Sequence, residues 1–379
     1  GGPGTGKTTT LGAFVTMARR TGRKLVLVAP TGLAARRLST VANHPASTIH
    51  RWLGQVEKGL DDDDLPDIVV IDECSMLSST LAYNVLKAAY TTAGRIILVG
   101  DPHQLPPIEP GSPFKDILDY HIIPTTYLEK IWRQKGGSVI PIIAGLIKAG
   151  KRPDALVTIG KQNQGWRYTE CQTSAAVEKE AAIESIRQHK AFLNQGGSVS
   201  LSPMYQYEGG VERLGATLQR NLNSNPKKVF KGEKGEWRVG DPCLHVGNDY
   251  AKNLTHAMRG TIIDLKTTDK LPFLIINWED GITRSHPCKD GDGGRIVLGY
   301  VLTYHRSQGS EYPGVTIALT KRQLAVANRE AIYTAITRAK TEVVLIAEQG
   351  ALDLALQTQG SKRITILATI FKKINYKPL

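Results

Sequence analysis

Short apolar runs recur along the chain, and each is closed by a turn or a polar cluster. Leu25–Ala29 (LVLVA) runs into Pro30-Thr31-Gly32, Ile68–Ile71 (IVVI) into Asp72-Glu73-Cys74-Ser75, and Ile96–Val99 (IILV) into Gly100-Asp101-Pro102-His103-Gln104. Stretches that suit helices, Thr8–Arg20 and Ser79–Tyr90, lie among them. Strand, polar corner, helix, repeated in that order, predicts a parallel sheet with helices on its faces. Such sheets gather their ligands at the carboxyl ends of the strands, and the polar corners fall there.

After residue 134 the pattern changes. Residues 135–198 are mixed and predict a helix near Ser174–Asn194. A second strand series follows at Val199–Ser202, Gly299–Thr303, Val315–Leu319 and Val343–Ala347, which predicts a second α/β domain. Between its first two strands lies an insertion from about Lys231 to Arg295. It is rich in Gly, Asp and Trp, with alternating runs at Thr261–Leu265 and Phe273–Trp278 that read as a small β-barrel. The run Asp61–Asp64 reads as a solvated loop, because four adjacent carboxylates cannot converge on one ion without a special backbone.

Composition narrows the partners. The chain has 379 residues and a formal net charge of +13, enough for several domains and favouring a polyanion as partner. Its four cysteines, Cys74, Cys171, Cys243 and Cys288, have neither zinc-site spacing nor a disulfide framework, and read as reduced thiols. No apolar stretch approaches the roughly 18 residues of a membrane span, so no membrane is expected.

The chemistry starts at Gly1-Gly2-Pro3-Gly4-Thr5-Gly6-Lys7-Thr8-Thr9, which fits G-x-x-x-x-G-K-[ST]. Glycines let backbone N–H groups turn inward around phosphate oxygens, and the following helix aims its positive end at the anion. Lys7 is placed to reach the β and γ phosphates of ATP, and the Thr8 hydroxyl to ligate Mg²⁺. Asp72, at a strand end, is the expected second Mg²⁺ partner. Glu73 is placed to orient or deprotonate the attacking water, and Gln104 to sense the γ-phosphate. Arg133 and Arg338 are candidate arginine fingers, cations that stabilise charge on a transferring phosphoryl group.

Further stretches carry a resemblance. They are APTGLAARRL (Ala29–Leu38), STIHR (Ser47–Arg51), VIDECSM, VGDPHQLPPIEPG, IWRQ (Ile131–Gln134), LSPMYQYEGGVERLGATLQRNLN (Leu201–Asn223), LTYHRSQGSEYPGV (Leu302–Val315) and YTAITRAK (Tyr333–Lys340). In order and spacing, over nearly the whole chain, they resemble a superfamily 1 helicase of the RecD-like branch. The wording Ser307-Gln308-Gly309-Ser310-Glu311 is similar to RecD-like and Pif-like enzymes, which move 5′ to 3′, and differs from the Lys-Gly-Leu-Glu usual in the UvrD-like branch. Arg306 stands where Lys is usual, and Gly215 where Asn is common.

The resemblance implies an α/β chain of two RecA-like P-loop domains with parallel sheets. They would occupy residues 1–134, and 199–230 with 296–379, joined by a junction at 135–198 and interrupted at 231–295 by an SH3-like β-barrel opening with GDPCLHVGNDY (Gly240–Tyr250). It implies an ATP- and Mg²⁺-dependent DNA helicase or translocase whose two lobes clasp ATP and alternate their grip on single-stranded DNA and duplex junctions. Gln308, Gly309 and Glu311 would join the nucleotide site, with Glu311 near the ribose, while Pro30, Thr31, His50, Thr303 and His305 would touch the strand. Trp52 and Trp237 are expected in core packing ahead of base stacking. The region between Trp52 and Pro66, where a strand-separating pin would fall, is short. Upstream of Gly1 the resemblance implies a strand feeding the loop and a Gln that reads adenine. A first sheet without that strand is expected to lose a central member, so the chain is expected to be part of a longer product. A cytoplasmic protein of bacterial or phage type is implied, with recombination, replication or conjugation partners. The alternatives are a viral-type superfamily 1 RNA helicase, the helicase module of a conjugative relaxase, and a non-catalytic clamp with the same fold.

Overall fold

Continuous apolar strands bounded by polar corners must bury both faces, and the chain does this twice. The computed structural model describes residues 1–130, 132, 138–153, 165–195, 197–232, 235–249, 251–267, 272–288, 295–360 and 369–370. They fall into two units, Gly1–Gly137 with Gln359–Leu379, and Ser138–Thr358.

The first unit runs α1 (Lys7–Arg20), β1 (Leu25–Ala29), α2 (Gly32–Ala42), β2 (Ala46–Thr48), α3 (Ile49–Glu57), β3 (Ile68–Ile71), α4 (Ser79–Thr92), β4 (Arg95–Leu98) and α5 (Pro113–Asp119). Its parallel sheet has the order β2-β1-β3-β4. Alternation along the strands decides the layers. Val69 and Ile71 pack with Ile49 and Trp52 of α3 and Val85 of α4, whereas Ile68 and Val70 pack with Leu11 and Val15 of α1 and Leu38 of α2. Side-chain caps fix where helices begin: Thr31 accepts from Ala34 N, Thr48 from Arg51 N and Ser78 from Leu81 N. The four strands pair contiguously and leave β4 at one edge of the sheet. Between α3 and β3 the only regular element among the described residues is a single 3₁₀ turn at Asp62–Asp64.

The second unit runs α6 (Ile140–Lys148), β5 (Trp166–Cys171), α7 (Ser174–Phe192), β6 (Ser198–Ser202), α8 (Val211–Leu222), β7 (Val229–Gly232), β8 (Gly235–Arg238), β9 (Pro242–His245), β10 (Arg259–Thr267), β11 (Pro272–Trp278), β12 (Thr283–Pro287), β13 (Ile296–Leu298), β14 (Val301–Thr303), β15 (Tyr312–Leu319), α9 (Arg329–Ile336), β16 (Ala339–Glu348) and α10 (Ala351–Gln357). Its central sheet is parallel, in the order β14-β6-β15-β16-β5. The segment 135–198 is therefore more than a junction: β5 pairs with β16, and α7 packs on the sheet through Val177, Ala181 and Ala182. Polar bonds inside that layer replace some of the apolar contact. Gln188 accepts from Thr316 Oγ1 (2.8 Å), and Ser200 donates to Ser185 (2.7 Å). WRYTEC lacks the apolar run of the other strands, because an edge strand with Arg167 bonded to Glu184 of α7 needs less of it.

The insertion is all-β and slightly longer than expected, from Val229 to Leu298. Antiparallel strands in the order β12-β11-β10-β9-β13 and a separate β7-β8 hairpin enclose Trp237, Met258, Ile262, Leu274, Ile276 and Trp278. Among the described residues the hydrogen-bonded order is open, with β12 and β13 at its edges. One buried carboxylate roots it. Asp241 accepts from Gln219 Nε2 (2.6 Å), Asn223 Nδ2 (2.8 Å), Arg238 N (2.8 Å) and Tyr300 OH (2.8 Å), so α8, the insertion's entry and the approach to β14 share one acceptor. Trp52 and Trp237 are both buried in cores and are not available for base stacking.

Asp241→Ala strands these donors in a dry site. It is expected to cost about 3 kcal/mol or more in urea unfolding of the second unit. A loss within about 0.5 kcal/mol would show that the carboxylate does not root the insertion.

Candidate nucleotide and nucleic-acid sites

The first sheet's register brings its polar corners to one edge. Ala29 is level with Thr48, Val28 with Ile71, and Ile71 with Leu98. The residues that follow these strand ends are Pro30-Thr31, Ile49-His50, Asp72-Glu73 and Val99-Gly100-Asp101. Two further backbone bonds extend the alignment: Asp72 N donates to Val28 O (2.9 Å) and Cys74 N to Val99 O (2.9 Å).

Gly1–Gly6 wraps ahead of α1. Gly6 caps that helix at φ +84°, a left-handed position that glycine adopts without strain, and no side chain caps the first turn. Neither is there an acidic residue in that turn, so the N–H groups and the helix dipole remain suited to an anion. Thr5 Oγ1 donates to Gly2 O (2.8 Å), and Lys7 Nζ donates to the carbonyls of Gly1 and Gly2 (2.9 Å to the latter). Lys7 thus lies back along the loop that its motif assigns to phosphate. Thr8 is half-buried in the first turn and Thr9 is exposed. Trp132 N donates to Gly4 O (2.9 Å), tying Trp132 to the loop. Its neighbour Arg133 lies outside the described residues.

Opposite charge meets this loop at the end of β3. Burial, reinforced by the Glu73 carboxylate, pushes the Asp72 carboxyl up to about 6, against the opposing pull of the Glu73 N–H, Lys7 and Arg37. Glu73 holds φ +53°, a strained setting for a non-glycine residue and one found at functional corners. Its Oε2 is buried without a protein partner, as is Oε1 of Gln104, which is only 6% exposed. Native interiors pair nearly all such atoms, so two orphans at adjoining strand ends point to groups that come from solvent. The Gln104 corner is held from both sides. Ser78 Oγ donates to Glu109 Oε2 (2.6 Å), and a Cβ on Gly111, at φ +92°, would lie 1.8 Å from Ser79 Oγ. A buried acid beside a lysine-bearing anion loop, with orphaned glutamate and glutamine oxygens, fits a nucleoside triphosphate with Mg²⁺. Thr8 and Asp72 are the residues that would hold the metal. Arg37 was not singled out from the sequence; its position in APTGLAARRL was the available signal. Among the described residues no group of three His, Cys, Asp or Glu side chains is gathered for a metal, and Asp61, Asp63 and Asp64 are exposed.

The strand-end residues proposed for nucleic acid differ in kind. Thr31 is the cap of α2, His50 is exposed on the first turn of α3, and Pro30 is half-buried. In the second unit Thr303 is buried, and its hydroxyl accepts from Arg306 N (3.2 Å), so it shapes the β14 corner rather than standing free. His305 is partly buried, which lowers its pKa and keeps the ring neutral near pH 7. Gln308 is buried, Gly309 sits at φ +77°, and Glu311 lies 3.7 Å from Lys340 Nζ. The Arg338 guanidinium is buried and fixed by Thr334 O (3.0 Å), Ser310 O (3.3 Å) and Thr337 Oγ1 (3.1 Å), which joins the RSQGSE and TRAK motifs directly.

Comparison with known proteins agrees with this geometry. Residues 1–165 match the AAA domain family, and residues 298–346 match the UvrD-like helicase C-terminal domain. The chain is 31% identical to the ATP-dependent RecD2 DNA helicase of Deinococcus radiodurans over 97% of its own length and 49% of that protein. It is 26% identical to the RecBCD enzyme subunit RecD of Mycolicibacterium smegmatis, over 95% of its own length and 70% of that subunit. The chain thus spans about half the length of RecD2. A crystal structure of Pif1 helicase from Bacteroides, in complex with ADP-AlF3 and ssDNA, aligns over 99% of this chain and 92% of that one, with a TM-score of 0.54 and 16% identity. The fold is accordingly that of two RecA-like units with parallel sheets.

Asp72 supplies a linked test. Its folded pKa lies above the unfolded value, so the unfolded state loses its proton first, and stability of the metal-free protein falls as pH rises from about 4 to about 6. Asp72→Asn removes that penalty. In EDTA it is expected to stabilise the first unit by on the order of 2 kcal/mol at about pH 7 and by almost nothing at about pH 4. Thermal melts giving the same difference at both pH values would remove Asp72 from the buried, proton-retaining role.

Proposed function

We propose that this chain, a homologue of the RecD-like superfamily 1 helicases, is the motor of an ATP-driven helicase or translocase that moves 5′ to 3′ on single-stranded DNA. The observation that carries the reading is the strand-end pair Asp72-Glu73 beside the Lys7 loop, with buried Glu73 and Gln104 oxygens awaiting partners. Support for the wider activity comes from the likeness to a DNA helicase over almost the whole chain.

In this reading the α1 N–H groups and Lys7 bind the β and γ phosphates. Thr8 and Asp72 would hold Mg²⁺, which when bound offsets phosphate charge. Glu73 Oε2 takes a proton from the attacking water, and Gln104 orients that water. Arg133 and Arg338 are the cations that meet charge on the transferring phosphoryl group, and Glu311, with Gln308 and Gly309, completes the nucleotide contacts. Three oxygen acceptors hold the buried Arg338 guanidinium in place, so only its remaining N–H groups are offered to the phosphoryl group. Pro30, Thr31, His50, Thr303 and His305 line the strand ends where the nucleic acid runs. The imidazoles and backbone there can hold phosphates without reading bases, while the Thr31 and Thr303 hydroxyls fix the corners. The charge of +13 adds a salt-sensitive, sequence-independent attraction.

Lys7→Ala is expected to reduce strand-stimulated ATP hydrolysis at least about a hundredfold, the scale of losing one charge-stabilising group, while oligonucleotide binding persists. Unchanged turnover removes Lys7 from the site. Polarity is tested with tailed duplexes: unwinding is expected from a 5′ single-stranded tail, and a preference for the 3′ tail reverses the direction.

A further inference from the structure

The carboxyl edge of the second sheet carries two tyrosines and two arginines that the nucleotide chemistry does not use. In β6 and β14, Ser202 is level with Thr303, so the two strands end together. Three residues beyond each end stand Tyr205 and Arg306, and the Arg306 guanidinium lies over the Tyr205 ring at 5.3 Å. On the other side of β6, the chain leaving β15 brings the Arg322 guanidinium over the Tyr207 ring at 5.8 Å. Strand order β14-β6-β15 thus yields the row Arg306, Tyr205, Tyr207, Arg322. It begins beside Thr303 and His305.

Stability does not account for this row. Tyr205 and Tyr207 are 39% and 43% exposed, so part of each large side chain is left facing solvent. An exposed cation–π pair contributes only about 0.5–1 kcal/mol. Tyr207 also sits at φ +72°, where a side chain other than Gly or Asn costs roughly 1–2 kcal/mol. The chain therefore spends backbone strain to present an aromatic ring to solvent, beside guanidinium groups and at a strand end. Glu208 tempers the row: it pairs with Arg213 (2.8 Å) and approaches Arg322 (3.6 Å), whose side chain is still 64% exposed.

We propose that Tyr205 and Tyr207 form a base-stacking platform for single-stranded nucleic acid, with Arg306 and Arg322 facing its phosphates. Aromatic faces accept any base, and guanidinium groups neutralise phosphates, the combination that sequence-independent strand binding needs. The proposal rests on the motor reading above and adds to it a second kind of grip: the strand is held by its bases at this edge, besides its phosphates.

The test is equilibrium binding of the full chain to a fluorescent oligo-dT, and to an abasic strand of the same length, at about 50 and about 200 mM salt. Tyr205→Ala and Tyr207→Ala are each expected to weaken oligo-dT binding about tenfold at both salt concentrations, while Tyr205→Phe and Tyr207→Phe retain wild-type affinity. On the abasic strand the alanine variants should match wild type, an outcome that a merely structural role for the rings would not produce. Arg306→Ala and Arg322→Ala should each lower the salt slope by about 1. Wild-type binding of oligo-dT with no loss in either alanine variant overturns the platform and leaves the motor intact. Equal losses on oligo-dT and the abasic strand also overturn it. A wild-type chain that binds neither strand overturns the motor reading together with the platform.

Discussion

A parallel sheet ends all its strands on one side, and that constraint organises this protein. Hydrogen-bond register sets where each strand stops. In the first unit it holds Val28, Ile71 and Leu98 level, so the residues that follow share an edge although they come from distant stretches of sequence. Asp72, Glu73 and Gln104 are gathered at that edge, with Lys7 near Asp72, only because of this. The same constraint in the second unit levels Ser202 with Thr303 and places two loops of different origin ring against guanidinium. The grouping of side chains at both edges is thus a by-product of strand pairing, with the helices covering the faces.

Burial then changes what these side chains are. Asp72 retains its proton well above the ordinary carboxylate range because it is desolvated beside another acid, and Lys7 and Arg37 only partly offset this. A divalent cation would supply counter-charge to Asp72, so the site suits a charged ligand. Asp241 meets the opposite treatment. It is fully buried, yet four donors converge on it, and the result is a structural anchor. Two buried aspartates therefore differ in use because one is saturated with donors and the other is not.

Much of the architecture was legible along the chain. The runs Leu25–Ala29 and Ile68–Ile71 are strands with those boundaries, because strands covered on both faces need continuous apolar sequence. Gly6 and Lys7 open a helix as the motif requires. WRYTEC was not legible as a strand, since its edge position and its salt-bridged Arg167 relax the apolar demand. Neither was the capping role of Thr303, because a threonine reads alike whether its hydroxyl faces a ligand or a backbone N–H.

By itself the amino-acid sequence determined the two α/β halves, the all-β insertion and the identity of the phosphate loop, since all three follow from local periodicity and from glycines at fixed spacing. Tertiary structure alone decided which distant side chains meet. The orphaned oxygens of Glu73 and Gln104, the donors converging on Asp241 and the paired tyrosines and arginines depend on register between strands. Register is a property of strand pairs, and no single segment carries it.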